Sequence, residues 1–263
     1  MSLAFVDRPP TSNELQKLRL VLSTYQDGTG QLAQQGNLTL PGWRDFERSV
    51  ALVFGGKAQE SKAILDVLFP DPSRPDIHYG VSCKMRKTLR DVGRTGRVTI
   101  EVSNSSGKFW NALKACGLNQ QNYEGHPEEA AKALIAQIEN WYDAVSIKHG
   151  GKVELNGSLY LVLQWDMKLG RYQLFQFPLA LPDPTTLKWC VKSRRLIGED
   201  DYGTLFEWYG LSGGQLKYYP FASHATWVSE AFALEPIPVG AEYGVLQKAA
   251  AYFPALWESP SDG

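Results

Sequence analysis

The chain has few cysteines, no long apolar run and almost no net charge, and each absence excludes a class of protein. Cys83, Cys116 and Cys190 lie far apart. They set no disulfide framework, and without a CxxC pair there is neither a zinc ribbon nor a thioredoxin-type motif. Nothing approaches the roughly 18 consecutive apolar residues of a membrane span, and the opening MSLAFVDRPPTSNE is too polar for a secretory signal peptide. The expectation is a cytoplasmic protein with no membrane partner. A formal net charge of -1 excludes a uniformly basic nucleic-acid coat but leaves room for a local basic patch. The four histidines, His78, His126, His149 and His224, show no paired ligand spacing, which argues against zinc. Neither GxSxG nor GxxxxGK[ST] occurs, and Gly55-Gly56-Lys57 lacks the phosphate-loop spacing.

What remains is a globular balance, 43% hydrophobic and 21% charged over 263 residues, enough for a sizeable core in one compact unit. Thr11 followed by Glu14 predicts a capping box opening a helix with Leu15, Leu18, Leu22 and Tyr25 on one face. A second helix after Pro41-Gly42 carries Trp43, Phe46, Val50 and Val53 as its apolar stripe, with Glu47 at the border. AILDVLF and IHYGVSCKM flank the turn-rich PDPSRPD and predict a hairpin. RVTIEVS alternates strictly, with Val98, Ile100 and Val102 on one side and Thr99, Glu101 and Ser103 on the other.

A short helix holds Phe109, Trp110 and Leu113, and a longer one runs from Pro127 through Trp141, Tyr142 and Val145. Beyond Gly151 the texture turns to strands: SLYLVLQWD and RYQLFQF as a second hairpin, then LKWCVKS, TLFEWYG and QLKYYP. A closing helix is expected over residues 243–253. The fold class is α/β or α+β with a β-rich second half.

Ser82 and Lys84 lie two apart on one strand and share a face. Asp66, on the preceding strand, can reach Lys84 across the hairpin, and Glu101 can join them if its strand pairs alongside. Asp66 and Glu101 are charges inside apolar strands, and a buried unpaired carboxylate is costly enough to require a metal, a base or a cation as partner. Carboxylates plus a lysine suit metal-assisted phosphodiester hydrolysis: oxygen ligands hold a hard cation such as Mg²⁺, and a lysine orients water or stabilises developing charge. From Lys84 to Arg97 there are six cations (Lys84, Arg86, Lys87, Arg90, Arg94, Arg97) against the single acid Asp91. Such a run suits phosphate contacts; the bland alternative is a solvated basic helix. Lys188, Lys192, Arg194 and Arg195 form a second cluster near Trp189, whose alternative is a charged sheet edge.

A helix with Glu, a strand with Asp, a turn, and a strand ending in x-x-Lys resembles the PD-(D/E)xK nuclease superfamily, which includes many type II restriction endonucleases. The resemblance covers about residues 42–107 and implies a mixed β-sheet core flanked by helices. By it Asp66 is the metal-binding aspartate, Lys84 the lysine of the triplet, and Glu47 the first-helix glutamate that some members place in the metal shell. The chain departs from the pattern at Ser82, which replaces the second acidic residue; Glu101 is the carboxylate that would stand in for it. Asp76, six residues before Ser82 in a Pro-Asp dipeptide, is the alternative to Asp66.

The implied activity is Mg²⁺-dependent endonucleolytic cleavage of double-stranded DNA, with residues 40–150 as catalytic core and 151–263 as recognition part. Arg86, Lys87, Arg90, Arg94, Arg97, Lys192, Arg194 and Arg195 are the expected DNA contacts. A homodimer is the geometric expectation for cutting both strands of a palindrome. The alternatives are a repair-type nuclease of the same fold and a non-catalytic nucleic-acid-binding protein. An enzyme acting on a small molecule in the β-rich half has no motif behind it.

Overall fold

The hairpin expected around PDPSRPD forms the centre of the molecule. The computed structural model describes residues 2–34, 39–59, 64–237, 249–251 and 253–254. The chain runs α1 (Ser12–Thr24), β1 (Leu32–Ala33), β2 (Thr39–Leu40), α2 (Trp43–Phe54), β3 (Lys57–Ala58), β4 (Val67–Pro70), β5 (His78–Arg86), α3 (Leu89–Thr95), β6 (Ile100–Ser103), α4 (Ser106–Ala115) and α5 (Pro127–Val145). It continues with β7 (Leu159–Asp166), β8 (Arg171–Pro178), β9 (Lys188–Lys192), β10 (Arg195–Asp200), β11 (Gly203–Trp208), β12 (Leu216–Tyr218) and β13 (Trp227–Val228).

The fold is α+β, as the sequence implies. A six-stranded mixed sheet has the order β13-β8-β7-β5-β4-β3, and a five-stranded antiparallel sheet the order β6-β12-β11-β10-β9. Within the mixed sheet β5 and β7 pair in parallel, Lys84 opposite Val162, while β4 and β5 pair antiparallel, Val67 opposite Val81. The segment between the parallel strands carries α3, β6, α4 and α5, the long crossover that parallel pairing requires.

Residue pattern explains the layering. All eight positions of β7, LYLVLQWD, are buried, as expected for a strand covered on both faces. On one face Phe46 and Val50 of α2, with Leu18 and Leu22 of α1, meet Val81, Cys83, Leu161 and Leu163. On the other, Leu134, Ile135 and Ile138 of α5 meet Tyr160, Val162 and Phe175 of the mixed sheet, and Ile100, Leu196, Phe206 and Trp208 of the antiparallel sheet. α5 thus shares one core with both sheets. The Thr11–Glu14 capping box is formed, Thr11 Oγ1 accepting from the Glu14 amide.

Four expectations need correction or relocation. Trp43, assigned to the apolar stripe of α2, is 52% exposed. β4 starts at Val67, so Asp66 precedes the strand, although its amide still donates to the Val81 carbonyl at 3.0 Å and continues the ladder. RVTIEVS alternates as read, with Val98, Ile100 and Val102 buried, but β6 pairs with β12 and not with β5. The division near residue 150 does not follow the sheets, because β7 and β8 complete the sheet begun by β3, β4 and β5. The closing helix expected over 243–253 lies largely outside the described residues; Ala249, Ala250 and Ala251 are helical. No described helix is long and apolar enough to cross a membrane.

Candidate active site

A cleft of about 970 Å³ opens where α2, β5, β6, α4 and α5 meet. Glu47, Asp66, Lys84 and Glu101 all line it. Gly80 helps to place Asp66: the Leu65 side chain occupies the space where a Cβ on Gly80 would stand, 2.1 Å from Leu65 Cδ1. Leu65 is thereby fixed in the core, 3% exposed, and the next residue is delivered beside the polar face of β5.

On that face Ser82 Oγ donates to Asp66 Oδ2 at 3.2 Å, and Lys84 Nζ donates to the same oxygen at 3.2 Å. Ser82 is 2% exposed, while the Asp66 and Lys84 side chains are 21% and 19% exposed. The carboxylate and the ammonium therefore reach solvent, and the hydroxyl orients the carboxylate from below. Among the described residues both hydrogen bonds to the Asp66 carboxylate fall on Oδ2 and none on Oδ1. Ser82 therefore acts as an orienting hydroxyl for the Asp66 carboxylate.

Cys83, between them, faces the opposite core. Burial pushes its thiol well above the ordinary value, and next in size are the negative charges of Asp66 and Glu47. Glu47 comes from α2, and Asp66 lies just ahead of β4. Glu101 also reaches the cleft, but its carboxylate forms an ion pair with Arg86 on β5. Burial lowers the affinity of the Arg86 guanidinium for its proton, the expected penalty for a charge held out of water. Asp76 lies exposed in the turn after β4 and does not line the cleft.

Tyr142 of α5 lines the cleft as well, its hydroxyl 2.6 Å from that of Tyr160 on β7. Burial pushes both phenols above their ordinary value, and the negative charge of Asp66 adds to this. The pair is neutral and hydrogen-bonded, with Tyr142 in the cleft lining and Tyr160 buried behind it.

Among the described residues no three of His, Cys, Asp and Glu are gathered for a metal ion. Mg²⁺ does not need such a cage: it is held by one or two carboxylates, with water and substrate phosphate completing the octahedron. Asp66 and Glu47 both line the cleft and are donors of that chemical kind, as is Glu101, whose carboxylate is paired with Arg86.

The basic run is placed differently. Arg90 pairs with Asp166 at 3.1 Å, Arg94 with Asp91 at 3.0 Å, and Arg97 with Asp200 at 2.7 Å. Lys192 pairs with Glu199 at 2.8 Å and Arg195 with Glu207 at 3.0 Å. Lys87 lies over the Trp165 ring, 5.4 Å from its centroid. Arg194 occupies a left-handed turn position, φ 61°, where its carbonyl accepts from Tyr123 Oη at 3.0 Å. Of the eight expected DNA contacts only Arg86 lines the cleft.

The cleft has other cations. Arg44 and Arg48 come from α2, and Lys108 from the first turn of α4. The signal for the α2 group was present in the sequence, since Arg44, Glu47 and Arg48 share one helix face at spacings of three and four. No family model, curated protein or solved structure matches the chain, so its site is read from its own geometry.

Proposed function

We propose that the chain is a metal-dependent phosphodiester hydrolase acting on DNA, of the kind that the PD-(D/E)xK resemblance implies. The observation that carries this reading is the convergence of Ser82 and Lys84 on Asp66 Oδ2, both at 3.2 Å, in a cleft that Glu47 also lines. A mixed sheet flanked by helices, with Asp66 leading into β4 and Lys84 near the end of β5, agrees with the architecture the resemblance implies. Restriction and repair are both compatible with this chemistry.

In this reading Asp66 and Glu47 would hold a divalent cation. When bound, such a cation polarises a phosphate oxygen and lowers the pKa of its water. Ser82 fixes the rotamer of Asp66 by donating to Oδ2. Lys84 presents an ammonium that donates hydrogen bonds to the attacking water or to a phosphate oxygen as negative charge develops. Arg86, on the same strand, is neutralised by its pair with Glu101, which leaves Lys84 as the strand's cation at Asp66. Tyr142, its hydroxyl hydrogen-bonded to that of the buried Tyr160, lines the cleft without adding a charge to it.

One observation favours a second reading, a non-catalytic nucleic-acid-binding protein: Ser82 replaces an acid and Glu101 is engaged by Arg86. The two readings separate in one assay. Single-stranded circular DNA and supercoiled duplex DNA are incubated with Mg²⁺ and with EDTA. The hydrolase reading expects cutting of at least one form with Mg²⁺ and none with EDTA. Binding without cutting of either form would leave the second reading.

A further inference from the structure

Two tryptophans from different helices line the cleft, each with a cation over its ring. On α2 the Arg44 guanidinium lies 4.9 Å from the centroid of Trp43. Elsewhere in its lining, Lys108 Nζ of α4 lies 5.2 Å from the centroid of Trp141 on α5. Trp43 is 52% exposed. Trp141 is half-buried against Phe109, their ring centroids 5.4 Å apart. Among the described residues neither Arg44 nor Lys108 has a carboxylate within ion-pair distance, whereas Arg90, Arg94, Arg97, Lys192 and Arg195 all have one.

We infer that the cleft walls formed by Trp43, Arg44, Lys108 and Trp141 bind a nucleic-acid segment in which at least one base is unpaired and unstacked. The indole rings take base faces and the two cations take the adjoining phosphates. This deepens the nucleic-acid reading of the cleft and rests on it for the class of ligand.

The physical argument has two parts. In an intact duplex the faces of the bases are covered by their neighbours, and a protein meets only base edges and the sugar–phosphate backbone. An aromatic ring in a site therefore finds a base face only on a single strand or on a nucleotide extruded from a helix. The second part is charge. A duplex-tracking surface needs cations free to neutralise successive phosphates. The run from Arg90 to Arg97 is held by Asp91, Asp166 and Asp200, whereas Arg44 and Lys108 stand beside the cleft tryptophans with no carboxylate at ion-pair distance among the described residues. Stacking on an aromatic ring is insensitive to base identity, so this subsite recognises an exposed base without selecting its sequence.

A single strand and an extruded nucleotide present the same chemistry, and the probes separate them. Fluorescence anisotropy in EDTA measures binding of three labelled oligodeoxynucleotides: a single strand, its perfect duplex, and the same duplex with a central mismatch, which lowers the cost of extrusion. The single strand is expected to bind about tenfold or more tighter than the perfect duplex, and Trp43→Ala to remove about tenfold of that affinity. If the mismatched duplex binds as tightly as the single strand and loses as much in Trp43→Ala, the base is taken by extrusion. If it behaves as the perfect duplex does, the ligand is a single strand.

Arg44→Ala is expected to weaken all probes and to lower the slope of log affinity against log salt by about one phosphate contact. Trp43 is exposed, so its replacement leaves folding intact; Trp141→Phe serves as the second variant, preserving the contact with Phe109. Equal affinity for the three probes, or an unchanged preference in Trp43→Ala, would overturn the inference, as would failure to bind any probe. Cutting of these probes with Mg²⁺ is scored separately. A Trp43-dependent preference without cutting supports the inference and counts against the hydrolase, while cutting without preference does the reverse.

Discussion

Two regions of the molecule are rich in cations, and they are built in opposite ways. In the run from Arg90 to Arg97 every arginine meets a carboxylate, and the partners include Asp166 at the end of β7 and Asp200 at the end of β10. Arg97 is the extreme case. Its side chain is 10% exposed, bonds both oxygens of Asp200 and the Tyr219 carbonyl, and lies over the Phe221 ring. It ties the turn before β6 to the β10–β11 turn. In the cleft, Lys84 meets Asp66, but Arg44 and Lys108 stack on rings and keep their charge open. A cationic sequence therefore describes two different things here: a clamp between distant turns, and a cleft wall whose cations lie over aromatic rings.

Substitutions sharpen this contrast. The largest effect is expected on hydrolysis. Lys84→Ala should lower the Mg²⁺-dependent cleavage rate by about a hundred- to a thousandfold, the usual loss for one donor aimed at developing charge, while Arg94→Ala should leave it within about twofold. Initial rates on circular DNA check both. Stability should rank the other way. Arg97→Ala strands a partly buried Asp200 and should destabilise by about 3 kcal/mol, whereas Arg94→Ala, at a pair whose arginine is 75% exposed, should change stability by less than about 0.5 kcal/mol; urea unfolding at neutral pH measures each.

A smaller effect follows at Ser82. Ser82→Ala removes one hydrogen bond to Asp66, worth about 1 kcal/mol, and should slow cleavage by about fivefold with little change in substrate affinity. The smallest concerns pH. Burial pushes the Asp200 carboxyl up, but the Arg97 hydrogen bond, together with the Tyr202 and Gly203 amides, outweighs it and holds the group below its ordinary value. The stability this contributes is present above the unfolded carboxylate pKa near 3.8 and is lost as the pH falls below it. Arg97→Ala should flatten the acid limb of a stability–pH curve, and an unchanged limb would show that the clamp is electrostatically idle.

The contrast also explains what the sequence reveals. Local patterns carry over well: the Thr11–Glu14 box, the hairpin around PDPSRPD, the alternation of Val98, Ile100 and Val102, and the shared face of Ser82 and Lys84 all depend on residues a few positions apart. Asp66 and Lys84 meet because a hairpin joins them. The pairing of Arg90 and Arg97 was illegible because their acids lie far away, Asp166 at 76 positions from Arg90 and Asp200 at 103 from Arg97, whereas Asp91, the partner of Arg94, lies within the run. The position of Glu101 depended on which strand β6 would join, and alternation alone is silent on that. Trp43 fits an apolar helical stripe by spacing, yet it sits at the first turn of α2, where the sheet no longer covers it. β10, whose RLIGED mixes charge with a glycine, gave no strand signal of its own and is held by pairing on both sides with β9 and β11.

The central claim is that Asp66, oriented by Ser82 and Lys84, is the carboxylate around which the chemistry is organised. Asp66→Asn tests it most directly, because the amide keeps the size of the side chain while removing its charge. Cleavage of single-stranded and supercoiled circular DNA is measured with Mg²⁺, alongside circular dichroism to establish that the variant is folded. The expected result is a folded protein whose cleavage rate has fallen by at least about a thousandfold. A folded Asp66→Asn variant that cuts at the rate of the unaltered chain would contradict the account.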